Sequence, residues 1–365
     1  MAPRVTAHAD RRLLLYLGIL LVFGLVALLS ASGPMGIAKF NDSYFFLKRQ
    51  LLFGLLPGSI LFIIATKLDE EWWKKYAWYI YGLVLLLLSL VFIPGIGLEI
   101  NGSHSWLHIF GLNFQPAELA KLAVIIMLAR LLTEKDRDWQ DWQNSLLPIL
   151  AVVAPALLLI LAQPDIGTAS ILVVIIFVML YLARVPGKLL SILGVLGIAA
   201  FIGLVLVAPY RLKRLTTFLH PELHPQAQGY HINQAFVAVG SGGFWGLGYG
   251  NSRQKFQYLP EVNADSIYAV IAEEMGFVIS AGIILLILLV CWRGLAVAKK
   301  AHTPFASLLV SGIMVWLVWQ SFLNIGAMVG ALPLTGVPLP FVSHGGSALM
   351  VALLAMGIVV RVSKS

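Results

Sequence analysis

Apolar stretches close to the ~20 residues that cross a bilayer as a helix follow one another from end to end of this chain. About ten are present, over 12–32, 47–67, 77–97, 117–133, 146–163, 167–184, 188–208, 267–292, 305–330 and 346–361. No other feature restricts the fold as much. Backbone inside hydrocarbon must satisfy its own N–H and C=O groups, so it forms helices or closed barrels, and runs of this length are helical. Only 12% of the 365 residues are charged, about half the share in a soluble domain. The expected fold class is an all-α polytopic membrane protein, a single membrane domain over 1–365. The first stretch follows Arg11-Arg12 and is expected to be a retained helix. Its apolar run exceeds the ~7–15 residues of a signal core, and no A-x-A cleavage site follows it.

Charge orients the spans. Arg4, Arg11, Arg12, Lys67, Lys74, Lys75, Arg130, Lys135, Arg137, Arg184, Lys188, Arg293, Lys299, Lys300, Arg361 and Lys364 fall in one alternating set of loops. The other set holds Lys39, Lys48, Arg49, Arg211, Lys213, Arg214, Arg253 and Lys255, and 98–116 and 331–345 contain no Lys or Arg. This bias places both chain ends in the cytoplasm. It leaves 209–266, between the seventh and eighth helices, as one long extracytoplasmic loop. The net charge of +8 resides in short loops and does not point to nucleic acid. Trp72, Trp73, Trp78, Trp139, Trp142 and Trp292 stand at span ends, as aromatic belt residues do. The single cysteine, Cys291, can form no internal disulfide and is expected to fill space as a small apolar side chain.

Of only 17 acidic residues, Asp265, Glu273 and Glu274 gather at the entrance of the eighth span. Ionisable groups at membrane depth are expensive and default to functional candidates. A carboxylate just outside the hydrocarbon can take a proton from a hydroxyl whose lipid tail stays in the bilayer. Glu118 and Lys121, three apart, share a helix face. They suit either a buried ion pair that fixes packing or a cavity lining in which Lys121 meets an anionic head group. Asp165 either caps the helix that follows it or faces the same cavity. Arg211, Lys213 and Arg214 lie outside, against the positive-inside trend, and suit an anion, either lipid phosphate or substrate pyrophosphate.

The glycines between Gly229 and Gly250 match no nucleotide loop. They fit tight turns against helix ends, or bare backbone approaching a pyrophosphate. His220-Pro-Glu-Leu-His224 is not H-E-x-x-H, and Pro221 breaks a helix through both histidines, so no zinc site is expected there. Ala331–Ser347 is too interrupted by Pro and Gly for a helix, and with Gln320 and Asn324 it is expected to complete a polar pocket.

In order and spacing, several of these segments resemble the SEDS family, the polytopic proteins of bacterial shape, elongation, division and sporulation. They are Gln115-Pro-Ala-Glu-Leu-Ala-Lys121, Gln163-Pro-Asp-Ile-Gly-Thr168, Gly229-Tyr-His-Ile-Asn-Gln234, Gly240-Ser-Gly-Gly243, Leu259-Pro-Glu261, Asp265 and Pro333–Ser347. The likeness runs along nearly the whole chain. Asn251-Ser-Arg-Gln-Lys255 is more like the division branch, FtsW, than the elongation branch, RodA. The resemblance implies a peptidoglycan glycosyltransferase that polymerises lipid II at the outer face of the bacterial cytoplasmic membrane. It also implies a class B penicillin-binding protein as transpeptidase partner, among other division or elongation proteins.

The family's loop acid falls on Asp265, the expected general base. Glu118, Lys121, Asp165, Arg211, Arg214, Gln234 and Ser343 are the expected substrate-binding residues. Arg211, Arg214, Lys121 or a divalent cation (magnesium or manganese) would stabilise the leaving charge; no organic cofactor is expected. The chain departs from the family pattern at four places. Asn263-Ala264-Asp265-Ser266 replaces His-Thr-Asp-Phe, Ala117 replaces Ser, His344 replaces Tyr, and no Arg precedes Trp106. The alternatives from other classes are a lipid II flippase, which buried charges and broken helices would also suit, and a scaffold that only recruits partners.

Overall fold

The structure, a computed structural model, describes residues 9–100, 103–109, 112–134, 138–207, 209–220 and 228–364. Helices occupy every expected span. They are α1 (Arg11–Phe40), α2 (Phe45–Gln50), which continues through a π-helical turn (Leu51–Leu55) into α3 (Leu56–Ala65), and α4 (Glu70–Leu90). Then come α5 (Pro116–Thr133), the short α6 (Trp142–Ser145), α7 (Leu147–Ala162), α8 (Ile166–Leu182) and α9 (Gly187–Val207). After α10 (Pro209–Leu219) and α11 (Gln228–Gly242), the chain ends in α12 (Ile267–Lys300), α13 (Pro304–Met328) and α14 (Gly346–Val362). By length and composition α1, the α2–α3 unit, α12 and α13 can each cross a membrane, and α7, α8, α9 and α14 are shorter apolar helices.

Local sequence sets the helix ends. The Asp10 side chain accepts from Arg12 N and Leu13 N at 3.1 and 3.0 Å, satisfying two of the N–H groups that a helix start leaves open. Asn41 closes α1 with a left-handed φ of 54°, a conformation asparagine tolerates. Asp10 N also donates to Ser363 Oγ at 3.2 Å, Asp10 pairs with Arg293, and Arg361 pairs with Asp69. Both chain ends therefore lie on one face, together with the basic loops.

At the centre runs α5, almost wholly buried and packed against α4, α7, α8 and α13. A helix enclosed on every side belongs to a bundle core. Towards the outside, α1, α3 and α9 expose Leu, Ile and Val side chains where lipid would lie.

The fold is the helical polytopic one expected, with a small sheet added to it. Strands β1 (Gly97–Ile100), β2 (Ser103–Ile109) and β3 (Leu112–Phe114) form an antiparallel sheet in the order β1-β2-β3, with Leu98 opposite Trp106 and Leu107 opposite Phe114. Strands this short leave no mark in a search for long apolar runs. Their signal is the period of two that buries Ser105 and Leu107. The long segment expected between the seventh and eighth spans carries structure of its own, since α10 and α11 occupy much of it.

The rest of that segment repairs a break in α12. Gly276 has φ 72° and ψ −175°, which interrupts the helical hydrogen bonds around it. Residues 243–248 replace them: Leu247 N donates to Glu273 O at 3.0 Å and Gly248 N to Glu274 O at 2.9 Å. In return Phe277 N donates to Gly243 O at 2.9 Å and Val278 N to Phe244 O at 3.3 Å. The two backbones approach so closely that a Cβ on Gly246 or Gly276 would overlap the other strand of chain. These glycines serve tight packing on a helix, because the nearby N–H groups that could have met a pyrophosphate are bonded to α12.

Candidate active site

A cavity of about 760 Å³ opens among the elements that the charge pattern puts outside. Arg49 and Phe53 line it from the α2–α3 unit, and Ser105, Trp106 and Asn113 from the sheet. Gln115 precedes α5, Asp165 starts α8, and Arg214 comes from α10. Glu261, Asn263 and Asp265 form one wall, and Thr335, Pro338 and His344 belong to the irregular segment between α13 and α14.

Asp265 stands just before α12, at the end of a turn that closes on itself. Ala264 N and Ser266 N both donate to Glu261 O, at 3.0 and 3.2 Å, and Ser266 Oγ donates to Pro260 O at 2.8 Å. Glu261 adopts a left-handed φ of 48° to permit this. Three neighbours hold the turn. His231 of α11 has Nε2 2.6 Å from Ser266 Oγ, Asn324 of α13 donates to Asp265 O at 2.8 Å, and His344 N donates to Asn263 O at 2.8 Å. The backbone is fixed while the carboxyl lines the cavity. Burial first, and then the negative charge of Glu261, push Asp265 up to about 7, since each disfavours the ionised form. A carboxyl so poised can exchange a proton near neutrality.

Positive charge faces it. Arg49 and Arg214 line the same cavity, and the Arg49 guanidinium lies 5.6 Å from the Phe45 ring and 5.8 Å from the Phe53 ring. Burial, with Arg49 nearby, holds His344 down at about 4, so it is neutral at pH 7.

Of the residues expected from sequence, the cavity brings together Asp265, Asp165 and Arg214. Asp165 also caps α8, accepting from Thr168 N at 2.9 Å, so its two readings are compatible. Glu118 and Lys121 do not reach the wall, which corrects their expected place there. Lys121 Nζ donates to Glu118 Oε1 at 2.8 Å and to Gln320 Oε1 at 2.7 Å, 4.9 Å from the Trp316 ring. Its side chain has no exposed surface, because α5 runs through the bundle centre and all its faces meet protein.

The pair instead supports the cavity floor, since Gln320 Nε2 donates to Pro338 O at 2.9 Å. Ser343 is likewise a buried prop, accepting from Leu339 N at 2.9 Å. Gln234 is half-buried on α11, away from the wall. Arg211 stands on α10 with its side chain outside the described residues, and Pro221 and His224 lie outside them as well.

A model of the cell cycle protein family of FtsW, RodA and SpoVE matches residues 11–365. The chain belongs to that family. It is 40% identical over 346 residues to stage V sporulation protein E of Bacillus subtilis, covering 95% of this chain and 94% of that protein. It is 37% identical over 354 residues to a probable peptidoglycan glycosyltransferase FtsW of a Geobacter species, covering 97% and 96%. Among solved structures, the rod shape determining protein RodA of Thermus thermophilus superposes with a TM-score of 0.73 at 28% identity over 99% of this chain and 98% of that one. A chain from a peptidoglycan synthase complex that coordinates polymerization and crosslinking gives a TM-score of 0.78 at 28% identity, covering 97% of both chains.

Sequence reasoning missed some of this SEDS protein's cavity residues. Arg49 carried the signal that singled out Arg214, a basic residue on the outer side against the charge trend, but it stood alone in charge on its helix face. Glu261 and Gln115 were visible only as parts of motifs. Among the described residues no group of three or more His, Cys, Asp or Glu side chains is arranged to hold a metal ion. Single carboxylates on the cavity wall, Asp165, Glu261 and Asp265, could hold a divalent cation only together with substrate phosphates, and the cations that the side chains bring to the cavity include Arg49 and Arg214.

Proposed function

We propose that this chain is a peptidoglycan glycosyltransferase that polymerises lipid II into β-1,4 glycan strands at the outer face of the bacterial inner membrane, with Asp265 as general base. The observation that carries the mechanism is a carboxyl with its proton affinity raised to about 7, facing two arginines across a cavity of about 760 Å³. Membership of a family whose FtsW relatives are named as probable glycosyltransferases supports the reaction class.

Asp265 removes the proton from the 4-hydroxyl of the acceptor GlcNAc. The oxygen attacks C1 of the donor MurNAc, the C1–O bond to phosphate breaks, and undecaprenyl pyrophosphate departs. An α-linked donor gives a β product by one inversion, so a single base suffices and no covalent intermediate forms. A pyrophosphate leaving group needs no strong general acid, but its charge must be met. Arg49 and Arg214 are placed to meet it, as fixed guanidinium donors suited to phosphate oxygens. Asn113, Gln115 and Asn263 offer neutral hydrogen bonds to the sugars. The step as written runs through no metal.

The likeness to a chain from a synthase complex that couples polymerization to crosslinking supports a class B penicillin-binding protein as partner. Similarity to FtsW and SpoVE relatives supports work at a septum or in sporulation over lateral elongation. The flippase reading draws on the break in α12, but that break is filled by residues 243–248 and gives no open path. The deciding experiment is lipid II polymerisation by the purified protein, with and without a transpeptidase partner that lacks glycosyltransferase activity. Glycan strands from wild type and none from a folded Asp265→Asn variant are expected. Failure of wild type with its partner would sink the polymerase reading and favour the flippase.

A further inference from the structure

The acids that open α12 are only partly used by this chemistry. Asp265 faces the cavity, whereas Glu273 and Glu274 are buried away from it and hold the segment that leads to Asp265. Glu273 accepts from the Ser252 hydroxyl, from Arg253 N at 3.0 Å and from Gln254 N at 3.3 Å. Glu274 Oε1 accepts from Lys255 Nζ at 2.7 Å, and Ser30 of α1 donates to the same carboxylate at 2.7 Å. Lys255 Nζ completes its set with Ser30 Oγ at 3.0 Å and Gly250 O at 2.7 Å. Both the lysine and the glutamate are almost fully buried.

Residues 255–265 therefore form a closed loop: one end is pinned to α12 ahead of the Gly276 break and the other runs straight into the start of that helix. One end is the Lys255–Glu274 contact and the other is Asp265 itself. Tyr249 adds a second tie to α1, donating from its hydroxyl to Val26 O at 2.9 Å. A loop tied down at one end has fewer ways to displace the side chain at the other.

We infer that Lys255 is a positioning residue for the glycosyl transfer: with Glu274 and Ser30 it latches the loop that carries Asp265 onto α1 and the upper segment of α12. It does not line the cavity. Its loss therefore slows the chemical step without weakening substrate binding, because a base displaced by about 1 Å can lose roughly a hundredfold in rate. This inference rests on the polymerase reading for its kinetic test but not for its structural one.

The experiment compares wild type, Lys255→Met, Ser30→Ala and the double variant Lys255→Met/Glu274→Gln in detergent or nanodiscs. Lys255→Met leaves Glu274 buried and unpaired, which alone lowers stability; the double variant removes that charge and is expected to recover thermal stability. If Lys255 positions the loop, the double variant stays about tenfold to a hundredfold down in kcat, with KM for lipid II close to wild type. Ser30→Ala, which keeps the ion pair, shows a smaller loss of the same kind. Hydrogen exchange of the 256–266 amides rises in Lys255→Met and stays raised in the double variant. Recovery of kcat together with stability would reduce Lys255 to a structural ion pair, and a rise in KM at unchanged kcat would make it a binding residue; either overturns the inference. If wild type itself makes no glycan, the polymerase reading fails, and the exchange of 256–266 still decides whether the latch exists.

Discussion

Two groups of ionisable side chains lie inside this protein, and they differ in what surrounds them. Around Lys121, every neighbour is protein: Glu118, Gln320 and Trp316 enclose an ammonium with no exposed surface. Around Asp265, protein holds the backbone on three sides while the carboxyl meets an open cavity. Both groups would look equally costly to a hydropathy argument. The sealed one has its charge answered by a fixed partner, and it shapes the floor on which the other works. The open one has its nearest named charge in Glu261, of like sign, and its proton is therefore easily exchanged. Charge that is paired and sealed builds structure, and charge that is held but unpaired at a cavity is free to exchange its proton.

Breaking the open group has the largest expected effect. Asp265→Asn keeps the turn, because the three ties run through Ser266, the Asp265 carbonyl and the Asn263 carbonyl. It is expected to lower the polymerisation rate by about 10²–10⁴-fold, the usual share of a general base, with an unchanged melting temperature. An active Asp265→Asn would move the base elsewhere. Breaking the sealed group acts on stability instead. Lys121→Met strands the Glu118 carboxylate and should cost about 3–5 kcal/mol, read as a lower melting temperature in detergent. Adding Glu118→Gln should restore much of it. If the single variant melts like wild type, the pair is not sealed as described.

The next effect separates wall from floor. Arg214→Ala and Arg49→Ala should each lower kcat by about a hundredfold with stability within error, as for loss of one group that stabilises a leaving charge. An effect confined to KM would assign them to ground-state binding alone. The smallest effect is a shift in pH dependence. Asp265 must be ionised to act, so the rate should rise with pH through a midpoint near 7 and level off above it. Glu261→Gln removes a like charge, lowers the Asp265 pKa and should move that midpoint to more acidic pH. A midpoint that stays put or moves upward would remove Glu261 from the account of Asp265.

How far the site was legible follows from the range of each contact. Asp265 could be named because its signal is local: an acid at a helix entrance in an acid-poor chain, inside a recognisable motif. Asp165 and Arg214 carried similar local cues. For Lys121 the sequence left a buried pair and a cavity lining both open, because what decides between them, Trp316 and Gln320, lies far along the chain, and spacing on one helix says nothing about what the helix faces. Arg49 was overlooked because its cavity partners come from segments far along the chain, from Ser105 to Met350. The glycines between 242 and 248 were seen, but what they pack against, a break in α12 some thirty residues on, was not.

By itself the sequence determined the spans, that the two ends share a side, the family and an acid that lines the cavity. Each depends on composition within a helix length or on a short motif, and the bilayer enforces the rest by requiring continuous helices. Only the tertiary structure decided that α5 is the enclosed helix, that β1, β2 and β3 pair as a sheet, that 243–248 completes a broken α12, and that Lys255 reaches Ser30 and Glu274. Those depend on which faces of distant segments meet. In a bundle where nearly every face is apolar, periodicity does not say which neighbour a helix will choose.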